Sequence, residues 1–351
     1  MSESMSVDVL TTEAPSVGND VAAQILRDFY SLDGTLTMLH GERDRNFCLS
    51  SADGNKYMAR FINPAEGMME IDFQTQLLLH VAEQHCELPV PRVIKSFDHG
   101  YQPQVAVNGQ TLSLRVVSYL AGKPQHLVSN TPVLMESMGK TLGQLNCSLK
   151  GFSHSGASRE LLWDITHPER IETILADIKQ NDMRSLIESV LDNYDQRVRP
   201  WLHKLPYQVI HNDLNPHNVL VSADGAEVCG IIDFGDALWA PKINDLATAL
   251  SYQLTDGEDP LSLVRPFITA FRRECDLSDD ELRVLPDLIA TRLILTLTIA
   301  AWRAMRYPDN RDYILRNVDR AWKNLIGFTA LPYEYIGEQL LLAARKGASY
   351  A

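Results

Sequence analysis

The chain has 351 residues, a formal net charge of −13, 45% hydrophobic residues and 22% charged residues. This is the composition of an ordinary soluble protein with a large core, and the length predicts one large domain or two lobes. The acidity argues against a protein that coats nucleic acid or an anionic membrane, because both need clustered positive charge, but it leaves room for a small anion at a locally basic site.

Residues 1–20 lack periodicity and are dominated by Ser, Thr, Glu and Asp, which predicts a disordered tail. They also lack the basic start and apolar centre of a secretory signal. A short helical pattern follows over 21–30, with Val21, Ile25, Leu26 and Phe29 apolar. Residues 36–50 and 56–62 read as two strands around Ser51-Ala52-Asp53-Gly54-Asn55, whose Asp-Gly pair favours a hairpin. Residues 70–85 read as a helix ended by Pro89 and Pro91, and 93–97, 104–107 and 112–119 are strand-like.

The pattern changes after Ala121-Gly122-Lys123-Pro124. Helical periodicity marks 135–149, 171–179 and 183–202, and two short strands are predicted at 218–222 and 227–232 around an Ala-Asp-Gly turn. The remainder is helical over 245–252, 261–274, 278–305, 312–326 and 335–345. Ser278-Asp279-Asp280-Glu281 has capping-box spacing, and Pro286 is expected to break or kink its helix. The expectation is an α+β chain with a tail over 1–20, a β-rich lobe over 21–120 and a helical lobe over 121–351. Cys48, Cys86, Cys147, Cys229 and Cys275 are scattered without metal-clip spacing, as in a reduced protein. The longest apolar run, 293–302, is shorter than the roughly 20 residues of a membrane span. These features predict a cytoplasmic protein without membrane or nucleic-acid partners.

The chemically informative segment is 209–237, V-I-H-N-D-L-N-P-H-N-V-L-V-S-A-D-G-A-E-V-C-G-I-I-D-F-G-D-A. A polar loop, His211 to Asn218, opens onto the first hairpin strand, and Asp233 ends the second. Hairpin geometry then brings Asn218 and Asp233 side by side. Amide and carboxylate oxygens are hard ligands of the kind Mg²⁺ prefers, and this ion commonly uses few protein groups plus substrate phosphates. Asp213, in the same loop, is placed to meet an incoming hydroxyl as a base.

H-N-D-L-N-P-H-N followed by I-I-D-F-G resembles the catalytic and metal loops of the protein-kinase-like small-molecule phosphotransferases, the superfamily of aminoglycoside phosphotransferases and choline kinases. The resemblance implies a two-lobed kinase-like fold, with Asp213 as the catalytic aspartate and Asn218 and Asp233 as Mg²⁺ ligands. His211 would brace the loop, and Asp245 in I-N-D-L-A would brace it from a helix. The small lobe would hold a nucleoside triphosphate. There the strand K-Y-M-A-R-F-I puts Arg60 where the family has a Lys, and an Arg can grip phosphate oxygens in a bidentate way. The helix acid that pairs with it would be Asp72, with Glu70 the other candidate. Asn46 falls in the segment Gly41–Asn46, where the family folds a hairpin over the phosphates, and Ser118 and Tyr119 fall at the hinge that meets the base.

Within the superfamily, L-W-D at 162–164, the loop form H-N-D-L-N-P-H-N and the late segment A-A-W-R-A-M-R-Y-P-D-N-R-D-Y look like hydroxylysine kinases. That subgroup implies GTP or ATP as donor and a small amino-alcohol or hydroxy-amino-acid acceptor. Such an acceptor needs a carboxylate for its amine, with Asp236 the candidate, and an Arg for its carboxylate. Arg292 and Arg303 are candidates for the latter, with Trp302 as a wall. Homoserine, choline, methylthioribose and aminoglycosides are the alternative acceptors, and a non-catalytic pseudokinase is the alternative class.

Overall fold

The computed structural model describes residues 13–39, 41, 43–98, 100–178 and 181–349. The chain divides into two units. One runs up to Ala121 and takes in His154–Ala157; the other holds Gly122–Ser153 and Ser158–Ala351. The return of 154–157 to the first unit has no signal in the sequence. Of the tail expected over 1–20, residues 1–12 lie outside the described residues. Residues 13–20 are held at points along their length: Val17 is buried in the core of the first unit, and the Glu13, Pro15 and Ser16 carbonyls accept from Asn63, Arg45 and Asn108.

The first unit is a five-stranded antiparallel sheet. Helix α1 (Asn19–Tyr30) precedes β1 (Gly34–Leu39), β2 (Arg45–Ser51) and β3 (Lys56–Phe61). Helix α2 (Met68–Gln84), β4 (Gln104–Val107) and β5 (Gln110–Ser118) follow, and the strand order is β1-β2-β3-β5-β4. The single strand expected over 36–50 is two strands. Its interruption is pinned by Asn63, whose side chain donates to Arg43 O at 3.0 Å and whose N–H donates to Asp44 Oδ1 at 2.8 Å. Of the strand expected over 93–97, only Val93 pairs, opposite Val117.

Alternation sorts the two faces of this sheet. Phe47, Leu49, Ala59, Phe61, Leu112, Leu114 and Val116 point to one face and form a core with Ala22, Ile25, Leu26 and Tyr30 of α1. Those four recur at helical spacing, so α1 buries one stripe. The opposite face carries the polar row Asn46, Arg60 and Arg115, cross-strand partners in register. Arg115 is buried and donates to Gln74 Oε1 at 2.8 Å and Thr75 Oγ1 at 3.2 Å, which ties β5 to α2. At Gly156 a Cβ would come within 2.8 Å of Met69 O, so only glycine lets the 154–157 segment lie this close to α2.

The second unit is mainly helical. After β6 (Lys123–Pro124) come α3 (Pro132–Ser148) and α4 (Asn181–Arg197). Four short strands follow: β7 (Tyr207–Ile210), β8 (Val219–Val221), β9 (Val228–Ile231) and β10 (Leu238–Pro241). The helices α5 (Ile243–Ser251), α6 (Val264–Glu274) and α7 (Asp279–Arg306) come next, then α8 (Arg311–Leu315), α9 (Val318–Thr329) and α10 (Tyr333–Ala348). Strands β6-β8-β9 make one antiparallel sheet and β7-β10 another. Three expected helices differ. Of the helix expected over 171–179, residues 171–177 belong to a 3₁₀ segment (Pro168–Asp177), the helix over 183–202 stops at Arg197 before a 3₁₀ turn containing Pro200, and 312–326 divides between α8 and α9. A Cβ at Gly139 would strike Phe267 O, so the glycine sets how closely α3 and α6 approach.

Helix α7 organises this unit. Ser278 and Glu281 form the expected capping box, and the helix runs through Pro286 instead of ending there. It is the one helix among the described residues long and apolar enough to cross a membrane, but 94% of its apolar window is buried inside the protein. It is therefore a core helix. It also delivers Arg292, which is 1% exposed, to the loop that follows β7.

Candidate active site

Strand β7 ends at Ile210, and the next eight residues form a loop held from below. Asp245, fully buried on α5, accepts from the backbone N–H of Asn212 at 2.8 Å and of His211 at 3.3 Å, and from Asn146 Nδ2 at 2.9 Å. Asn212 sits at φ +65°, a left-handed turn that an Asn tolerates better than most residues. His211 is buried too. Its Nδ1 accepts from the Asp213 N–H at 3.2 Å, so its Nε2 donates to Ile232 O at 3.1 Å, and its ring packs edge-on against Phe234. One histidine thereby joins the loop to the end of β9. His211 and Asp245 are braces in the structure.

The loop presents Asp213 with its lone pairs largely directed. Asn215 Nδ2 and Asn218 Nδ2 each donate to Oδ2 at 2.8 Å, and Arg292 Nη2 donates to Oδ1 at 2.8 Å. A carboxylate has about four lone-pair positions, so Oδ1 keeps the open one. Arg292 is fixed in turn by Trp163 O at 3.1 Å, by the Tyr252 hydroxyl at 3.3 Å, and by the Trp163 ring 4.8 Å from its guanidinium carbon. Burial pushes the Asp213 carboxyl up to about 7; Asp236 and Asp233 add to the rise, while Arg292 and the Asn215 amide oppose it.

Asn218 and Asp233 are brought together by the β8–β9 pairing, in which Ile232 N–H donates to Asn218 O at 2.9 Å. Asn218 directs its amide hydrogens at Asp213, to the backbone oxygen at 2.9 Å and to Oδ2 at 2.8 Å, so its own carbonyl oxygen is left for another ligand. Asp233 is exposed, at φ +62°, with Oδ1 accepting from Gly235 N–H at 3.2 Å. Among the described residues no three His, Cys, Asp or Glu side chains gather into a metal cage. One amide oxygen and one carboxylate are an oxygen-only, incomplete set. They fit a hard divalent ion that keeps phosphate and water ligands. Asp236 follows in a short 3₁₀ turn, half-buried, and makes no hydrogen bond or ion pair with the described residues.

In the first unit, Arg60 and Asn46 are opposed on β3 and β2. The sequence pairs Arg60 with Asp72; the structure gives Arg60 to Asp44, Nε to Oδ2 at 2.5 Å, because the turn before β2 folds Asp44 back to the sheet. Asp72 instead meets His154 Nε2 at 3.2 Å, which the sequence does not suggest because His154 comes from the returning segment. Ser118 Oγ accepts from Arg92 N–H at 2.9 Å, and Tyr119 is exposed with its N–H donating to Lys56 O at 3.0 Å.

The late-helix expectation for Arg292 needs correction. Arg292, expected to hold an acceptor carboxylate, is turned to Asp213 and buried, because α7 passes directly beneath the loop. Trp302 is 7% exposed, with the Arg306 guanidinium over its ring at 4.5 Å, and it and Arg303 belong to the last turns of α7, far along the helix from Arg292. Trp163 and Tyr252, which position Arg292, escape sequence reasoning. The L-W-D motif is the only signal that points to either.

The paired loops on this fold define a protein-kinase-like phosphotransferase. The chain belongs to the phosphotransferase enzyme family, whose model matches residues 37–276. It is 25% identical over 360 residues to a hydroxylysine kinase of Xenopus laevis, with 93% of each chain covered. It is also 25% identical over 324 residues to a homoserine kinase of Nitrobacter winogradskyi, covering 85% of this chain and 92% of that one. Among solved structures, a microcompartment-associated aminopropanol kinase superposes with a TM-score of 0.68 at 17% identity, over 92% of this chain and 99% of that one. The protein is accordingly an enzyme that phosphorylates a hydroxyl group of a small molecule.

Proposed function

We propose that the enzyme transfers the γ-phosphate of GTP or ATP to the hydroxyl of a small amino-bearing metabolite, with 5-hydroxylysine the first acceptor to test and homoserine the second. The observation that carries this reading is the directed Asp213 carboxylate beside the Asn218 and Asp233 oxygens. The resemblance to hydroxylysine and homoserine kinases supports the choice of acceptor.

In this mechanism Asp213 Oδ1 takes the acceptor proton as the acceptor oxygen bonds to the γ-phosphorus and the bond to the departing nucleoside diphosphate breaks. Arg292, Asn215 and Asn218 hold the carboxylate in one orientation, which places the reacting oxygen and excludes unproductive rotamers. Asn218 and Asp233 are the ligands of a divalent ion, Mg²⁺ in our reading, and that ion neutralises phosphate charge when bound. Arg60, Asn46, Asp72, Ser118 and Tyr119 are the nucleotide contacts of the first unit in this reading, and Asp236 is the partner of the acceptor ammonium. A cytoplasmic location goes with five free cysteines. The test is a panel of amino alcohols and hydroxy-amino acids with ATP and GTP, read by nucleoside diphosphate release. Turnover by wild type that survives unchanged in Asp213→Asn would overturn the assignment.

A further inference from the structure

In the first unit, the carboxylate that meets Arg60 comes from a turn and not from a helix. Arg60 of β3 and Asp44, one residue ahead of β2, form an ion pair, Nε to Oδ2 at 2.5 Å, with the arginine side chain 25% and the aspartate side chain 10% exposed. The aspartate is itself fixed. Its Oδ1 accepts from the Asn63 N–H at 2.8 Å, just beyond the end of β3. The Asn63 side chain, buried, donates to Arg43 O and to Glu13 O, each at 3.0 Å. One asparagine thus closes the turn onto the strand that carries the arginine.

The neighbours of Arg60 give the pair its meaning. Arg60 lies opposite Asn46 of β2 on one side and Arg115 of β5 on the other. Like charges directly opposite on adjacent strands repel, and Asp44 offsets that repulsion. Two guanidinium groups then stand against one carboxylate in this group, which leaves it attractive to an anion. Asp72 is engaged elsewhere: half-exposed, it meets His154 Nε2 at 3.2 Å, while His154 Nδ1 accepts from the Gly156 N–H at 3.0 Å. That carboxylate fastens the 154–157 segment to α2. A long side chain held in place beforehand binds its ligand more tightly than one that must be ordered on binding.

We infer that Asp44 is the positioning residue for Arg60: it holds the guanidinium in the direction that meets the donor phosphates and ties that direction to the turn ahead of β2. The inference rests on the proposed nucleotide role of Arg60 and assigns its acid partner to the turn instead of the helix. Asp44 acts through Arg60 and contacts no phosphate itself.

Calorimetry in the presence of Mg²⁺ tests this without an acceptor. The ligands are the β,γ-imido analogues of ATP and GTP, with adenosine and guanosine as partners that lack the phosphates. Asp44→Asn keeps an oxygen for the Asn63 N–H, so the turn stays closed while the charge beside Arg60 is lost. Arg60→Gln is expected to weaken triphosphate binding by about tenfold or more, and Asp44→Asn by about three- to tenfold, with nucleoside binding unchanged in both. In the Arg60→Gln background Asp44→Asn has little further effect, whereas Asp72→Asn adds its own effect in full. Full additivity of Asp44→Asn with Arg60→Gln, an equal loss on the nucleosides, or tighter triphosphate binding by Asp44→Asn overturns the inference and leaves Arg60 as a nucleotide contact. Unchanged triphosphate affinity in Arg60→Gln removes that contact and the inference with it. If Asp44→Asn does not fold, Asp44→Glu, which keeps the charge but displaces it, is read in the same way: a loss confined to the triphosphates supports the inference, and a loss shared by the nucleosides overturns it.

Discussion

Arg292 Nη2 lies 2.8 Å from Asp213 Oδ1, and the arginine side chain that makes this contact is 1% exposed. A cation this buried opposite the reacting carboxylate is a positioning element. Arg292→Met is expected to lower kcat by about a hundredfold or more, with nucleotide KM little changed, since the base loses its orientation and not its substrate. Arg292→Lys keeps the charge but not the fork, and falls between. Removing the buried arginine leaves the Asp213 carboxylate without its cation, so the urea midpoint of Arg292→Met drops, and the double variant with Asp213→Asn recovers part of the loss. Strict additivity of the two would show that the pair is not coupled.

The acid limb of the pH–rate profile reports Asp213. Its carboxyl is pushed up to about 7, first by burial and then by Asp236 and Asp233. Activity therefore rises with pH as the base ionises, and a bound divalent ion shifts the limb to lower pH. Asp236→Asn removes a like charge, so the limb moves further to lower pH. Stability carries the opposite sign. A carboxyl whose folded pKa is raised stabilises the metal-free fold below its unfolded pKa, near 4, and that contribution is lost as pH rises to about 7. Asp213→Asn abolishes this part of the pH dependence of the metal-free protein, measurable by urea melts across the window.

Divalent-ion titrations examine the other half of the site. Asp233→Asn is expected to raise the Mg²⁺ concentration needed for half-maximal activity by about tenfold or more, because an exposed carboxylate at that position supplies the only charge in the protein's donor set. Asn218→Leu acts twice, since it removes a donor to Asp213 as well as a ligand. Its kcat remains low at saturating Mg²⁺, whereas Asp233→Asn recovers.

Asp245→Ala leaves the His211 and Asn212 N–H groups without an acceptor in a fully buried place. The expected cost is about 2–4 kcal/mol in chemical denaturation, accompanied by lost turnover. Asp245→Asn, which keeps one acceptor oxygen, costs less. A stable Asp245→Ala protein of wild-type activity would remove the brace from the account.

The loops carrying Asp213, Asn218 and Asp233 were legible because their chemistry is compressed into one strand–turn–strand, where spacing in sequence is spacing in space. Capping at Ser278 was legible for the same local reason. Contacts set by tertiary packing were not. Nothing near Arg292 in sequence announces that α7 runs beneath residue 213, and a late arginine reads equally well as a ligand for an acceptor. Arg60 was matched to Asp72 by analogy with a helix acid, but the turn at Asp44 reaches it, and His154 arrives from a distant segment to take Asp72. At Pro286 the helix continues, so of the two outcomes expected there the break does not occur.

The contact between Asp213 and Arg292 spans 79 residues of chain. The loop motif, with the Asn215 and Asn218 bonds to Oδ2, is complete long before α7 has been synthesised, yet Oδ1 gains its Arg292 partner only when that helix docks. Catalytic competence is thus among the last properties the folding chain acquires, and a truncated or half-folded product carries the full motif without a working base. During refolding, activity should return with the burial of α7 and lag the recovery of helical signal.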